Sequence, residues 1–327
     1  MKGLSFKHYW DKFGTIGILL VIMMGMAIMS PVNRNGWPIF LTLDNITQIG
    51  VQSTIFLLLA YGQFFAILTA GIDLSVGAIA GLSGMIMAML MVSGVPLPLA
   101  IAIGLFAGMV FGLINGMLVN LTELHPFVIT LGTQAIFRGT TLIISNGRPV
   151  FGFPREFQII AGHVMGIPIP LIIVAVIAAI LYFFTTKTIV GRNIYALGGN
   201  KQSAWFSGIN IKLHILIVFG LSGLMSACAG MVMTARIGAA EPLAGQGFET
   251  FAIAACIIGG TSFFGGRGKI LIVIIGGLII GAISNGLNIN NVPPFWQQVV
   301  MGALIIGSVS LDRLVGRSAE RRNLVKN

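Results

Sequence analysis

Apolar residues fall along this chain in long blocks, and the polar ones gather in short stretches between them. A helix needs about 20 mainly apolar residues to cross a bilayer. Ten blocks fit that length or come near it, at residues 13–32, 47–70, 74–93, 98–119, 124–144, 168–186, 213–234, 250–266, 270–289 and 295–311. Gly94-Val95-Pro96-Leu97-Pro98 is a turn signal that parts the third block from the fourth. The fifth has Pro126 near its start and Arg138 inside it, and the eighth is short. The first block is longer than the core of a signal peptide, about 7–15 residues, and lacks a small-residue cleavage site, so it reads as a retained span. The pattern predicts an all-α polytopic membrane protein. It forms one transmembrane domain over residues 1–327, with short tails at 1–12 and 312–327.

Composition agrees with the pattern. The chain is 56% hydrophobic and 9% charged, with a mean hydropathy of +0.96. Soluble domains carry about 25% charged residues, and a soluble fold could not hide this much apolar surface. The 44 glycines suit membrane helices that approach closely. A net charge of +10 raises the question of nucleic acid. The positive residues sit between and beyond the apolar blocks and form no basic face with interleaved aromatics, which excludes that partner. They read instead as topogenic charge in contact with a lipid bilayer. With the N-terminus inside, 14 of the 19 lysines and arginines fall on the inner side, among them Lys187, Arg192, Lys201, Lys212, Arg267 and Lys269. Arg34, Arg148, Arg155 and Arg236 fall outside, so both termini are expected in the cytoplasm. Cys228 and Cys256 lie in apolar stretches, and the four histidines are never at ligand spacing, so neither a disulfide framework nor a metal site is expected.

Several spans carry recognisable patterns. Gly104, Gly108, Gly112 and Gly116 recur every four residues and make a smooth ridge for tight helix packing, and Gly277 and Gly281 repeat the device. Asn45, Gln48, Gln52 and Gln63 fall within about 60° on a helical wheel. Thr130, Gln134, Arg138 and Thr141 also share one face. Polar groups in a membrane turn toward other helices or a water-filled path, so these stripes are either interhelical glue or a translocation path. Their amides and hydroxyls suit a neutral polar solute better than an ion. Asp73, between two spans, is either functional or a cap for the following helix. Glu241 and Glu249 are read as lying in an outer loop.

The longest inner segment is 187–212. Asn200 is a good helix N-cap and Gly208 a good stop, so a two-turn helix is expected between them, displaying Trp205 and Phe206. A helix so short is marginal by itself. Either a partner's groove accepts the aromatics or the helix packs on its own membrane domain. No phosphate loop is present: the run from Gly259 to Lys269 comes near G-x-x-x-x-G-K-[ST], but Ile270 follows the lysine. No Ser-x-x-Lys or His-Glu-x-x-His motif occurs either, so the chain has no visible means of binding ATP or of covalent catalysis.

Four stretches carry a family resemblance: Ala70-Gly71-Ile72-Asp73-Leu74-Ser75-Val76-Gly77; His125-Pro126-Phe127-Val128-Ile129-Thr130-Leu131-Gly132-Thr133; Gly191 to Asn200 with Ser207-Gly208-Ile209; and Ile258-Gly259-Gly260-Thr261-Ser262 with Gly265-Gly266-Arg267-Gly268. Over nearly its whole length the chain resembles the permease subunits of bacterial ATP-binding-cassette importers for ribose, allose and related sugars. The run from Gly191 through Gly245, with Gly247 to Thr250, is most similar to the allose type. The resemblance implies a bacterial inner-membrane permease that works by alternating access, with a second copy or a homologous permease completing the path. It implies a cytoplasmic ATPase subunit that holds ATP and magnesium, and a periplasmic sugar-binding protein. The ATPase-coupling residues would be Arg192, Asn193, Asn200, Ala204, Trp205, Phe206, Ser207 and Gly208. Path candidates are Gln48, Gln52, Gln63, Asp73, Thr130, Gln134 and Arg138. Related importers contain an inverted repeat. Here Phe65-Ala66-Ile67 and Phe251-Ala252-Ile253 match, but the separations of the surrounding motifs differ, so the sequence does not establish the repeat. Another cargo such as an autoinducer, an ion-coupled secondary transporter resting on Asp73 and Arg138, and a membrane enzyme are the competing readings.

Overall fold

A computed structural model describes residues 6–310 except 294 and 308. The expected C-terminal tail, 312–327, and the first residues of the N-terminal tail lie outside the described residues. The helices are α1 Phe6–Met29, α2 Leu43–Leu68, α3 Val76–Val92, α4 Leu97–Thr122, α5 Pro126–Ile144, α6 Arg155–Gln158, α7 Ile169–Lys187, α8 Ile189–Gly199, α9 Lys201–Phe206, α10 Ile211–Ile237, α11 Phe248–Ile258 and α12 Ile270–Ile289. A thirteenth, α13, covers Phe295–Gly307. One small hairpin, β1 His163–Val164 with β2 Ile167–Pro168, precedes α7. The architecture is all-α and multi-pass.

Six helices (α2, α4, α5, α7, α10 and α12) are long and apolar enough to cross a membrane, and α3, α11, α13 and Gly14–Met29 of α1 are shorter apolar helices. Burial sorts the six. The apolar windows of α2 and α10 are 94% and 78% buried, whereas those of α4, α5 and α7 are 22–28% buried. Thus α2 and α10 form the centre, and the peripheral helices keep apolar faces turned outward, as lipid-facing helices do. Glycine decides the closest seam. A side chain at Gly112 would strike the Phe219 carbonyl, and one at Gly223 would strike the Gly108 carbonyl, so α4 and α10 pack backbone to backbone. Gly104 faces Met87, Gly108 faces Ala227, and Gly116 lies beside Leu216.

The eighth expected span, 250–266, is corrected. The helix stops at Ile258, and Gly260, Gly265 and Gly266 take φ of 73°, 87° and 68°. These are left-handed conformations that end a helix and that glycine adopts readily. Eleven residues rise about 16 Å, roughly half the hydrocarbon core. The helix therefore starts inside the bundle: Phe248 packs on Phe56, midway along α2, with ring centroids 5.5 Å apart. The segment before it, 238–247, bridges Ala240 to Val150 and then descends to pack Gly245 on Gly77. Residues 69–75 enter the bundle in the same manner, and α3 begins beside them. Irregular backbone at such depth is tolerated because protein surrounds it.

The segment 187–212 is also richer than expected. It holds α8 before α9, a helix that the reading of the chain does not place. Thr188 caps α8 by accepting from Gly191 N at 3.0 Å.

Candidate functional site

Asp73 is fully buried and collects donors from two elements. Its Oδ1 accepts from Ser75 N at 2.9 Å and Ser75 Oγ at 2.6 Å, and its Oδ2 accepts from Ser222 Oγ of α10 at 2.7 Å. Asn115 of α4 donates to Ser75 Oγ at 2.7 Å. The carboxylate holds the N-cap residue of α3 and ties it to α10, and through Ser75 to α4. It makes an Asx-type turn ahead of α3 and an interhelical tie together, and it leaves the first-turn N–H groups of α3 without a side-chain cap.

A second cluster joins α5 to α11. Gln134 Nε2 donates to Glu249 Oε1 at 3.0 Å, and Arg138 Nη1 donates to the Ala244 carbonyl at 2.6 Å. Glu249 is thus not a solvated loop residue: it lies in the first turn of α11 and is half-buried. Arg138 Nη2 and Glu249 Oε2 are buried and have no hydrogen-bond partner among the described residues. Thr130 is fully buried and accepts from Leu74 N at 3.0 Å, fastening α5 to the Asp73 segment. The Thr141 hydroxyl donates to the carbonyl of Phe137 in its own helix. Asp73 and Arg138 have separate partners, an arrangement that gives no support to an ion-coupling pair.

The stripe on α2 divides. Asn45 exchanges two 3.0 Å hydrogen bonds with Asn285, and Gln52 donates to Ser284 Oγ at 2.9 Å. Ser284 Oγ donates to Gln297 Oε1 at 3.0 Å, which carries the chain on to α13. These residues glue α2 to α12 and α13. Gln48 is exposed. Gln63 is fully buried with neither amide atom partnered among the described residues, a condition worth about 1–3 kcal/mol of destabilisation.

On the other side of the molecule, Asn200 closes α8 and caps α9 by accepting from Ser203 N at 2.8 Å. Gly208, at φ 79°, stops the chain after Ser207. Ala204 is the one buried residue of α9, while Trp205 and Phe206 are 61% and 71% exposed. Arg192 is exposed and Asn193 half-buried on α8. A cleft of about 1130 Å³ runs beside α9, with Ala70, Asn120 and His125 among the residues that line it. On the inner face of α8, Tyr195 donates its hydroxyl to the Gly268 carbonyl at 2.9 Å, and burial raises that phenol above its ordinary value. Sequence reasoning missed α8 and the Gln134–Glu249 bond. The Thr188 cap was a readable signal for α8, but the bond had none, because its partners lie 115 residues apart.

The model of the family described as branched-chain amino acid transport system / permease component matches residues 45–309. The chain is 57% identical over 318 residues to the D-allose transport system permease protein of Escherichia coli strain K12, covering 97% of this chain and 96% of that one. It is 42% identical over 315 residues to the ribose import permease protein of Bacillus subtilis strain 168, covering 95% and 96%. It is 35% identical over 336 aligned positions to the galactose/methyl galactoside import permease protein of E. coli strain K12, covering 96% and 98%. No solved structure gives a significant match.

Proposed function

The chain belongs to the family of transport-system permease components, and from that premise we propose that it is the membrane-spanning subunit of an ATP-driven importer for a monosaccharide, D-allose or a ribose-like sugar. It is a transport subunit, and hydrolysis of ATP falls to a separate cytoplasmic subunit. The observation that carries this reading is α9: a six-residue helix with one buried side chain and two adjacent exposed aromatics, Trp205 and Phe206. Such a helix supplies two anchors to a groove in another protein. Arg192 and Asn193 on α8 and Ser207 beside the aromatics extend the contact.

In this account the protein lies in the bacterial inner membrane, with α8, α9 and both termini on the cytoplasmic side. A second copy completes the path, and a periplasmic binding protein delivers the sugar to the opposite face. ATP closes the partner subunits, the α9 helices move, and the bundle exposes its interior to the other side. The partner must interact differently with the two states of the bundle for this to work. Gln63, Thr130, Gln134 and Arg138 are the side chains proposed to face the sugar. Amides, a hydroxyl and one guanidinium offer hydrogen bonds to sugar hydroxyls without demanding a charged cargo. Replacing Trp205 and Phe206 together by alanine tests the reading: ATPase co-purification and sugar uptake should both fall, with sugar capture by the binding protein unchanged. Normal co-purification of that variant would sink it.

A further inference from the structure

The end of α8 meets two other segments without a side chain between them. A Cβ on Gly198 would strike the Leu68 carbonyl at the end of α2 and come within 2.7 Å of Gly266 N. A Cβ on Gly266 would come within 2.7 Å of Gly199 N and Cα, and one on Gly265 within 2.9 Å of Ala70 N. Gly266 N donates to the Leu68 carbonyl at 2.9 Å, and Tyr195 bonds Gly268 at 2.9 Å. Three segments thus touch through their backbones: α8, the end of α2, and the 259–269 loop. That loop joins α11 directly to α12.

We infer that this glycine junction is the point at which movement of α9 is passed to the transmembrane bundle, with Gly198, Gly266 and Tyr195 as positioning residues. The inference rests on the proposed importer function. Its physical basis is stiffness. Asn200 is shared by α8 and α9, so α9 cannot shift without dragging Gly198 and Gly199. A contact made by side chains can absorb a displacement by rotamer change, but one between backbones cannot. The displaced segments then lead to the two interior clusters. The end of α2 continues to Asp73, and the loop continues back through α11 to Glu249. One junction therefore pulls on both halves of the polar interior.

The test uses the full chain with its ATPase subunit and binding protein in proteoliposomes, measuring sugar moved per ATP hydrolysed. Gly198→Ala and Gly266→Ala should retain the ATPase at the parent ratio and keep hydrolysis, while sugar per ATP falls about 3- to 30-fold. Tyr195→Phe, which removes one hydrogen bond and leaves the glycines alone, should lower that ratio about 2- to 10-fold. If uptake and hydrolysis fall in proportion in Tyr195→Phe, or its ratio equals the parent's, the junction is only structural and the inference is overturned, whether or not the glycine variants fold. If the unaltered chain retains no ATPase and shows no ATP-driven uptake, the importer reading fails first, and the junction's role falls with it.

Discussion

Replacing Asp73 by alanine removes both acceptor oxygens that tie the start of α3 to α10. Three donors lose their partner: Ser75 N, Ser75 Oγ and Ser222 Oγ, now at 2.9, 2.6 and 2.7 Å. They are not equivalent. Ser222 can turn its hydroxyl back to a carbonyl of its own helix, a common arrangement for helical serine. Ser75 Oγ keeps the bond it accepts from Asn115, and its freed proton can rotate to another acceptor. The Ser75 amide has no alternative, and a buried unsatisfied donor costs about 1–3 kcal/mol. With the weakened tie to α10 and a small void, the total comes to about 3–5 kcal/mol. Asp73→Asn keeps the shape and one acceptor oxygen but turns an NH2 group toward a donor, so about 1–3 kcal/mol is expected. The chain supplies its own probe. Cys228 and Cys256 are free and 8% and 0% exposed, so a thiol-reactive dye reports unfolding in detergent. At about 2–4 °C per kcal/mol, the alanine variant should melt about 6–20 °C below the parent and the asparagine variant about 2–12 °C below. Parent-like melting of both variants would refute the tie. An asparagine variant that melts normally but cannot transport would move Asp73 from holding the bundle to handling the cargo.

Other expectations follow from the same geometry. Trp205→Ala with Phe206→Ala should leave the melting temperature unchanged, since both side chains are mostly exposed, yet weaken ATPase retention by about 30-fold or more, read by titrating labelled ATPase onto the chain. Gly112→Ala drives a methyl into the Phe219 carbonyl and should destabilise by about 1–3 kcal/mol in the thiol assay. Gln63→Leu should raise the melting temperature, because two unpartnered buried amide atoms disappear, while sugar uptake falls about ten-fold; undiminished uptake would remove Gln63 from the path.

Much of this fold could be read along the chain, and the parts that could not share a cause. Long apolar blocks predict helices because a bilayer demands them, and Asn200 and Gly208 bracket α9 because caps act locally. Tertiary contact decided the rest. Gly191, Gly198 and Gly199 make α8 look like a loop, yet each of the first two replaces a side chain that would collide with backbone. Asn45 and Gln52 share a face with Gln63, but the first two bond residues 240 and 232 positions away on α12, while the Gln63 amide has no partner among the described residues. One stripe therefore holds glue and a path candidate side by side. The eighth span was read through the glycine run after Ile258, and a short α11 starting midway down α2 becomes evident only once Phe248 is seen on Phe56.

The central claim is that this chain moves sugar only when a separate ATPase docks on α9. The most direct measurement is uptake of radiolabelled allose and ribose into proteoliposomes holding the chain, with the ATPase subunit and the sugar-loaded binding protein added or withheld. The account predicts uptake only when both partners and ATP are present, and its loss in the Trp205→Ala, Phe206→Ala variant. Uptake by the chain alone, driven by an ion gradient and indifferent to ATP, would contradict it.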